Sequence, residues 1–322
     1  MPVIPSDFKP PRGLRNPHVQ TIAGALLRRR HRSATAQERL ELADGDFIDL
    51  QWNAPRARRH LAILSHGLEG NAEQGYIRGM AEALAAAGWN SLAWNFRGCG
   101  VEPNRLARFY HSGATDDLRA VIARAAADYP KVALIGFSLG GNLTLKYLGE
   151  TTPHACIVAA AAISAPVDLA ASARMLDSQR GNRLYLRRFL RSLVAKVEAK
   201  SARFPAEIDA RGCRSLRTFA EFDDRYTAPL HGFRDAEDYW AKSSARQFLP
   251  QIAVPTLLLN AIDDPFLAPE CFPFVEAEKH AQFFFEAPAH GGHLGFLDRL
   301  FAARPYHERR VVQFLAASAP GL

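Results

Sequence analysis

The stretch that decides the fold is Lys131-Val-Ala-Leu-Ile-Gly136-Phe-Ser138-Leu-Gly140-Gly141-Asn142. Residues 131–135 are a short apolar run with two β-branched members, the pattern of a buried strand. Glycines then bracket one serine. From Asn142 the residues Leu143, Leu145, Lys146 and Leu148 resume as a helix that Gly149 is placed to end. Strand, G-x-S-x-G, helix is the context in which a serine occupies a turn so tight that its neighbours must be small and its hydroxyl points outward. The same pentapeptide also occurs as a plain glycine-rich turn. Its meaning therefore depends on a base, an acid and an oxyanion-binding pair elsewhere in the chain.

Upstream, Glu38 to Leu42 and Phe47 to Trp52 read as strands joined by Ala43-Asp44-Gly45-Asp46, whose Asp-Gly dipeptide favours a hairpin. His60 to Ser65 is a third strand and runs into His66-Gly67-Leu68-Glu69-Gly70-Asn71. Tyr76, Met80, Ala83, Leu84 and Ala87 recur at helical spacing, and Gly88 stops them. Trp89 to Phe96 is strand-like and ends at Arg97-Gly98-Cys99-Gly100. Thr115 is placed to cap the next helix, with Asp116 and Asp117 in its first turn. Residues 1–36, rich in proline and arginine and weakly helical from Thr21 to Arg30, read as an arm on the surface.

Downstream, Cys156 to Ser164 is apolar throughout. Apolar strands alternating with helices imply a mostly parallel central sheet flanked by helices, an α/β fold. The rhythm breaks after Pro166 and returns only at Pro255 to Asn260. Between them, Leu186, Phe189, Leu190, Leu193, Val194 and Val197 form the apolar side of a helix that carries Arg187, Arg188, Arg191 and Lys196 elsewhere around it. No second core is evident, so residues of about 167–250 read as a helical cap insertion in a single domain spanning 1–322. The strand His280 to Glu286 and a helix of about Tyr306 to Ala317 complete the sheet.

With 322 residues, 48% of them apolar, the chain can build a large core. Its four cysteines are scattered, with no C-x-x-C pair, which suits a reducing compartment. The first residues contain no apolar run long enough for a secretion signal, and no run approaches a bilayer crossing. A cytoplasmic protein is the expectation. The net charge of +7 gathers in Arg28-Arg29-Arg30-His31-Arg32 and in residues 174–200. Neither cluster has the interleaved aromatics of a nucleic-acid reader, which argues against a nucleic-acid partner. A solvated basic face is the first reading, and a weak contact with acidic substrates or an anionic membrane surface the second.

Asp264 follows the strand Thr256-Leu-Leu-Leu-Asn260, on the edge where open α/β sheets bind ligands, and it directly precedes a Pro-Phe turn. Asp263 is the alternative acid. The last strand leads to Ala287-Pro288-Ala289-His290-Gly291-Gly292-His293. Two histidines three apart could hold a metal, but there is no H-E-x-x-H and no third ligand nearby, so no metal or cofactor is expected. Glycines before His293 instead form a loop from which an imidazole can reach a serine. The order Ser138, Asp264, His293 is that of one class of serine hydrolases and differs from the orders of chymotrypsin-like and subtilisin-like proteases. In such a relay the imidazole takes the serine proton, while the aspartate fixes the imidazole's tautomer and steadies its cation. His66-Gly67-Leu68 completes the set: the backbone N–H groups of Leu68 and Leu139 would form the oxyanion hole.

The sequence resembles the α/β-hydrolase superfamily and, within it, the YheT-like branch. The likeness covers almost the whole chain and rests on Asn16-Pro-His-Val-Gln-Thr21, Ser65-His-Gly-Leu-Glu-Gly70, Asn95-Phe-Arg-Gly-Cys99, His111-Ser-Gly113, Gly136 to Asn142, Asn260 to Pro265 and His290 to His293. It implies an α/β-hydrolase fold with the charge relay on Ser138, Asp264 and His293. Relatives implied by the resemblance include esterases, medium-chain acyltransferases and phospholipase-like enzymes. Arg97, Asn142 and His111 are candidates for supporting groups, with Arg97 and Asn142 read as structural. The expected function is hydrolysis of short- to medium-chain carboxylic esters through an acyl-serine. The alternatives are acyl transfer to an alcohol, a lipase- or phospholipase-like activity, and a non-catalytic scaffold.

Overall fold

The computed structural model describes residues 2–27, 36–53, 60–299 and 304–318. Nine strands form one sheet: β1 Val3–Ile4, β2 Ala36–Glu41, β3 Phe47–Asn53, β4 His60–Ser65, β5 Asn90–Trp94, β6 Lys131–Phe137, β7 Ile157–Ile163, β8 Thr256–Leu259 and β9 Phe283–Glu286. Their order across the sheet is β1-β9-β8-β7-β6-β4-β5-β3-β2, and β3 alone runs against the others. The expected hairpin of β2 and β3 is present, with Glu41 opposite Phe47.

Alternate side chains of each central strand point to opposite faces, and each face is covered by helices. On one face Ala133, Ile135 and Phe137 of β6, with Ala159, Ala161 and Ile163 of β7, pack against the helix Gly75–Ala86 and the final helix Tyr306–Ser318. On the other, Leu134, Ala160 and Ala162 pack against the helices Thr115–Ala126 and Leu139–Glu150. The chain between β7 and β8 is helical. Its principal pieces are Leu169–Ser178, Arg183–Arg203 and Ala236–Ser243, and their buried residues extend this second apolar layer. Adjacent strands β4 and β6 place the loops after Ser65 and Phe137 side by side at the carboxyl edge of the sheet, the ligand-binding edge of such sheets.

Four local expectations are revised. The arm does more than lie on the surface: Val3 and Ile4 pair with Phe285 and Glu286 as an edge strand, and residues from Pro17 form the helix α1 (Pro17–Leu26). The Asn16 side chain accepts from the amides of His18 and Val19, a cap that starts this helix before the weak periodicity becomes visible. Arg28 to Arg32 lie outside the described residues. Thr115 is the first residue of its helix, not the cap; Ala114 holds that position without a side-chain bond. The helix after Ser138 begins at Leu139, three residues before Asn142, and runs past Gly149 to Glu150. Gly149 is there for close approach, since a Cβ on it would lie 2.0 Å from the carbonyl oxygen of Phe248.

Candidate active site

Ser138 joins β6 to the helix Leu139–Glu150 with φ 53° and ψ −120°, a conformation rare for any residue but glycine. The surroundings over-determine it. Its amide donates to the Ile163 carbonyl at 2.9 Å, and its carbonyl accepts from the amides of Gly141 and Asn142. A Cβ on Gly136 would lie 2.1 Å from the Gly140 oxygen, and one on Gly140 would lie 2.4 Å from the Ser65 oxygen. The small residues around the serine are thus a packing requirement: the turn that carries Ser138 presses directly on the end of β4.

His293 reaches Ser138 from the loop after β9. Its Nε2 lies 3.0 Å from Ser138 Oγ, and its Nδ1 lies 2.8 Å from Asp264 Oδ2. An ionised carboxylate only accepts, so this pairing puts the imidazole hydrogen on Nδ1 and turns the Nε2 lone pair to the serine. Asp264 is buried, and its Oδ1 also accepts from the Phe266 amide. The Phe266 ring lies against the imidazole, with centroids 4.2 Å apart.

Asp263, the alternative acid, does a different task. It accepts from the Gly292 amide at 2.9 Å and from His290 Nδ1 at 3.1 Å, bracing the loop that carries His293. Burial pushes its carboxyl above the ordinary value. The two histidines therefore face separate aspartates and do not converge. Among the described residues no group of three or more His, Cys, Asp or Glu could hold a metal ion.

Two backbone amides beside the serine have no acceptor among the described residues. Gly67 N–H donates to the Tyr76 hydroxyl, Glu69 N–H to the Tyr110 hydroxyl and Gly70 N–H to the Gly67 carbonyl. Leu68 N–H, between them, has no acceptor among the described residues, and neither does Leu139 N–H. Gly67 passes close to the serine, since a Cβ there would sit 3.1 Å from Ser138 Cβ. His66 is fully buried, and burial lowers it to about 4, so it is neutral at physiological pH. It shapes this turn by bonding the Gly67 carbonyl through Nδ1 and accepting from the Phe96 amide at Nε2.

Ser138 and His293 open into a cavity of about 120 Å³. Its walls are largely apolar, including Leu68, Leu139, Leu176, Phe189, Phe222 and Phe266. His111 also lines it, and burial holds this imidazole well below its ordinary value. Asn142 and Arg97 are structural, as expected. The Asn142 amide bonds the carbonyls of Ser112 and Ser243 and accepts from Ala245 N–H. Arg97, 3% exposed, bonds Asp44, Asp46 and Asp117. Removing one partner from such a buried cluster costs about 3–5 kcal/mol.

Several supporting residues escape sequence reasoning. Thr21 accepts from His293 N–H at 2.9 Å, and Gly292 (φ 56°) and Gly295 lie so close to α1 that a Cβ on either would fall about 2.5 Å from its carbonyls. The Asn16 to Thr21 segment was the available signal. Ser164 accepts from Leu294 N–H. Glu69 receives Lys196 at 2.6 Å, which ties the loop holding Leu68 to the helix Arg183–Arg203 across the cavity.

Residues 63–300 match the family described as alpha/beta hydrolase fold. The chain is 37% identical to the Escherichia coli protein YheT, which is named as an esterase, over 91% of this chain and 87% of that one. It is 27% identical to the mouse phospholipase ABHD3 over 98% of this chain and 80% of that one. A solved esterase from Pyrococcus furiosus superposes with a TM-score of 0.59 at 17% identity, covering 96% of this chain and 97% of that chain, a likeness of fold. With a family match across most of its length and a relative above a third identical, the chain belongs to the alpha/beta hydrolase fold family.

Proposed function

We propose that this protein is a serine hydrolase that cleaves carboxylic esters of short- to medium-chain acyl groups through an acyl-serine intermediate. The observation that carries the reading is the 3.0 Å contact from Ser138 Oγ to His293 Nε2, in line with Asp264 and open to an apolar cavity. His293 takes the serine proton as Oγ attacks the ester carbonyl and returns it to the departing alcohol. Asp264 stabilises the imidazolium formed between those steps. The amides of Leu68 and Leu139 receive the negative charge on the former carbonyl oxygen. A water molecule, activated by the same imidazole, then releases the acid. Residues of about 167–250 act as a cap within one domain of residues 1–322, and their apolar inner side receives the acyl chain. The relatives named as esterase and phospholipase support ester chemistry at this site.

A series of p-nitrophenyl esters of increasing chain length tests this reading. Turnover is expected to peak at short or medium chains, and Ser138→Ala is expected to lose about 10⁶-fold in kcat. A Ser138→Ala variant with the wild-type rate would overturn the assignment. Product analysis with added alcohol separates hydrolysis from transfer: free acid is the expected main product.

A further inference from the structure

The guanidinium groups of this protein fall into two populations. Among the described residues most are answered by a carboxylate, as Arg39 by Asp49, Arg124 by Glu38 and Arg310 by Glu286. Arg183, Arg187, Arg188 and Arg191, in the first half of the helix Arg183–Arg203, are exposed and have no carboxylate within ion-pair distance among the described residues. The nearest acids are committed elsewhere. Asp177 accepts from the amides of Phe219 and Ala220, and Glu198 pairs with Arg214. Leu184 is 74% exposed, and at positions 184, 187, 188 and 191 it shares one helical face with three of the arginines.

A second unusual face lies on a neighbouring helix. The helix α1 exposes Val19, Ile22 and Leu26, spaced along one stripe, with Leu26 at 75% exposure. The two helices touch where the His18 ring stacks on Tyr185, with centroids 5.8 Å apart and a hydrogen bond between them. Tyr185 packs edge-on against Phe266, and Phe266 lies against His293. The two helices thus adjoin through His18 and Tyr185, and Phe266 connects that junction to His293.

We propose that α1 and the arginine face of the helix Arg183–Arg203 dock together on an anionic phospholipid bilayer, with the active site facing the lipid. Charge complementarity selects this occupant. Unpaired arginines attract an anionic surface at about 1 kcal/mol each, and exposed branched residues insert below the headgroups. Nucleic acid would satisfy the arginines but gains nothing from Ile22, Leu26 and Leu184. The binding measured below does not depend on hydrolysis, so it can fail while the ester reading stands, and the reverse.

The test is cosedimentation of the full chain with vesicles of phosphatidylcholine alone or mixed with phosphatidylglycerol. Binding is expected only to the mixed vesicles and is expected to weaken with salt. The triple variant Arg187→Gln/Arg188→Gln/Arg191→Gln and the double variant Ile22→Asp/Leu26→Asp are each expected to bind on the order of 10- to 100-fold less tightly. Both should hydrolyse a soluble nitrophenyl ester as the wild type does, which shows that they fold. Equal binding to both vesicle types, or variants that bind like the wild type, would overturn the proposal. So would tighter binding to duplex DNA, or a dimer in sedimentation equilibrium that Ile22→Asp/Leu26→Asp dissociates, since a second copy would then cover the patch.

Discussion

The two walls of the cavity are built by different means. On the sheet side, position is set by the backbone. The positive-φ residues other than glycine among those described are Glu69, Ser138, Ser164, Leu294 and Phe296, all on loops leaving β4, β6, β7 and β9 at one edge. Each holds a conformation that costs free energy, and it persists because hydrogen bonds such as Ser138 N–H to Ile163 and Leu294 N–H to Ser164 allow little else. On the helical side, among the residues from Leu169 to Gln251, the only positive-φ residues are Gly212 and Gly232, and the cavity is lined largely by leucines and phenylalanines. Chemistry that depends on an oxygen lying 3 Å from a nitrogen sits on the first wall. On the proposed function, selection of an acyl chain, which requires only apolar volume, falls to the second wall and can change without disturbing the first.

The sharpest way to break this division is at the paired aspartates, neighbours in sequence with separate partners. Asp264→Asn keeps the shape but lets the imidazole adopt the wrong tautomer, and kcat is expected to fall about 10⁴-fold. Asp263→Asn keeps an acceptor for Gly292 N–H and is expected to cost less than about 10²-fold. Steady-state kinetics on one soluble ester checks both. Equal losses would mean that the acid was assigned to the wrong residue.

The same division explains what the sequence made legible. Ser138, Asp264, His293 and Leu68 each sit in a short strand-end motif, where residue type and spacing carry the geometry locally. What escaped was cooperation between distant segments. Val3 and Ile4 are too short a strand to show any period, and their partner lies some 280 residues away in β9. Thr21 buttresses His293 through a helix whose first turn is announced by a single capping asparagine. Gly149 resembled a helix stop, and only the carbonyl of Phe248 reveals its purpose. The segment between β7 and β8 gave up one clear helix because its other helices are short and depend on capping bonds, as Thr218 with Glu221 shows.

The walls are joined at Glu69, and an intermediate effect is expected there. Burial alone would raise this carboxyl, yet the Lys196 ammonium, Ser192 and Tyr110 together hold it below the usual range. Glu69 follows Leu68 directly, so on the proposed mechanism a cation on the helix Arg183–Arg203 steadies the amide assigned to the oxyanion. Lys196→Met leaves a buried carboxylate unpaired beside that amide. We expect kcat to fall about 10-fold or more, with KM nearly unchanged and Lys196→Arg retaining most activity. A purely structural role would instead lower the melting temperature with both constants intact, and that result would separate the two walls again.

The smallest expected effect belongs wholly to the helical wall. Asp223 lies in a single π-helical turn, Asp223–Thr227, and lines the cavity. Its carboxyl accepts from Thr227 Oγ1 and Trp240 Nε1, yet burial outweighs both bonds and pushes it up to about 7. An unfolded chain releases this proton near 3.8, so between the two values the folded protein holds more protons than the unfolded one. The contribution to stability is fully present below the lower value and is lost as pH rises through the upper one. Asp223→Asn cannot ionise and should lack that decline. Melting temperatures from pH 4 to pH 8 are expected to converge with or cross those of the wild type by roughly 2–4 °C. Parallel curves would mean that the wild-type carboxyl is already ionised, and the cavity would then present a fixed negative charge to the acyl chain. A neutral Asp223 instead lets the helical wall remain uncharged below pH 7, which suits the apolar chain it is proposed to hold.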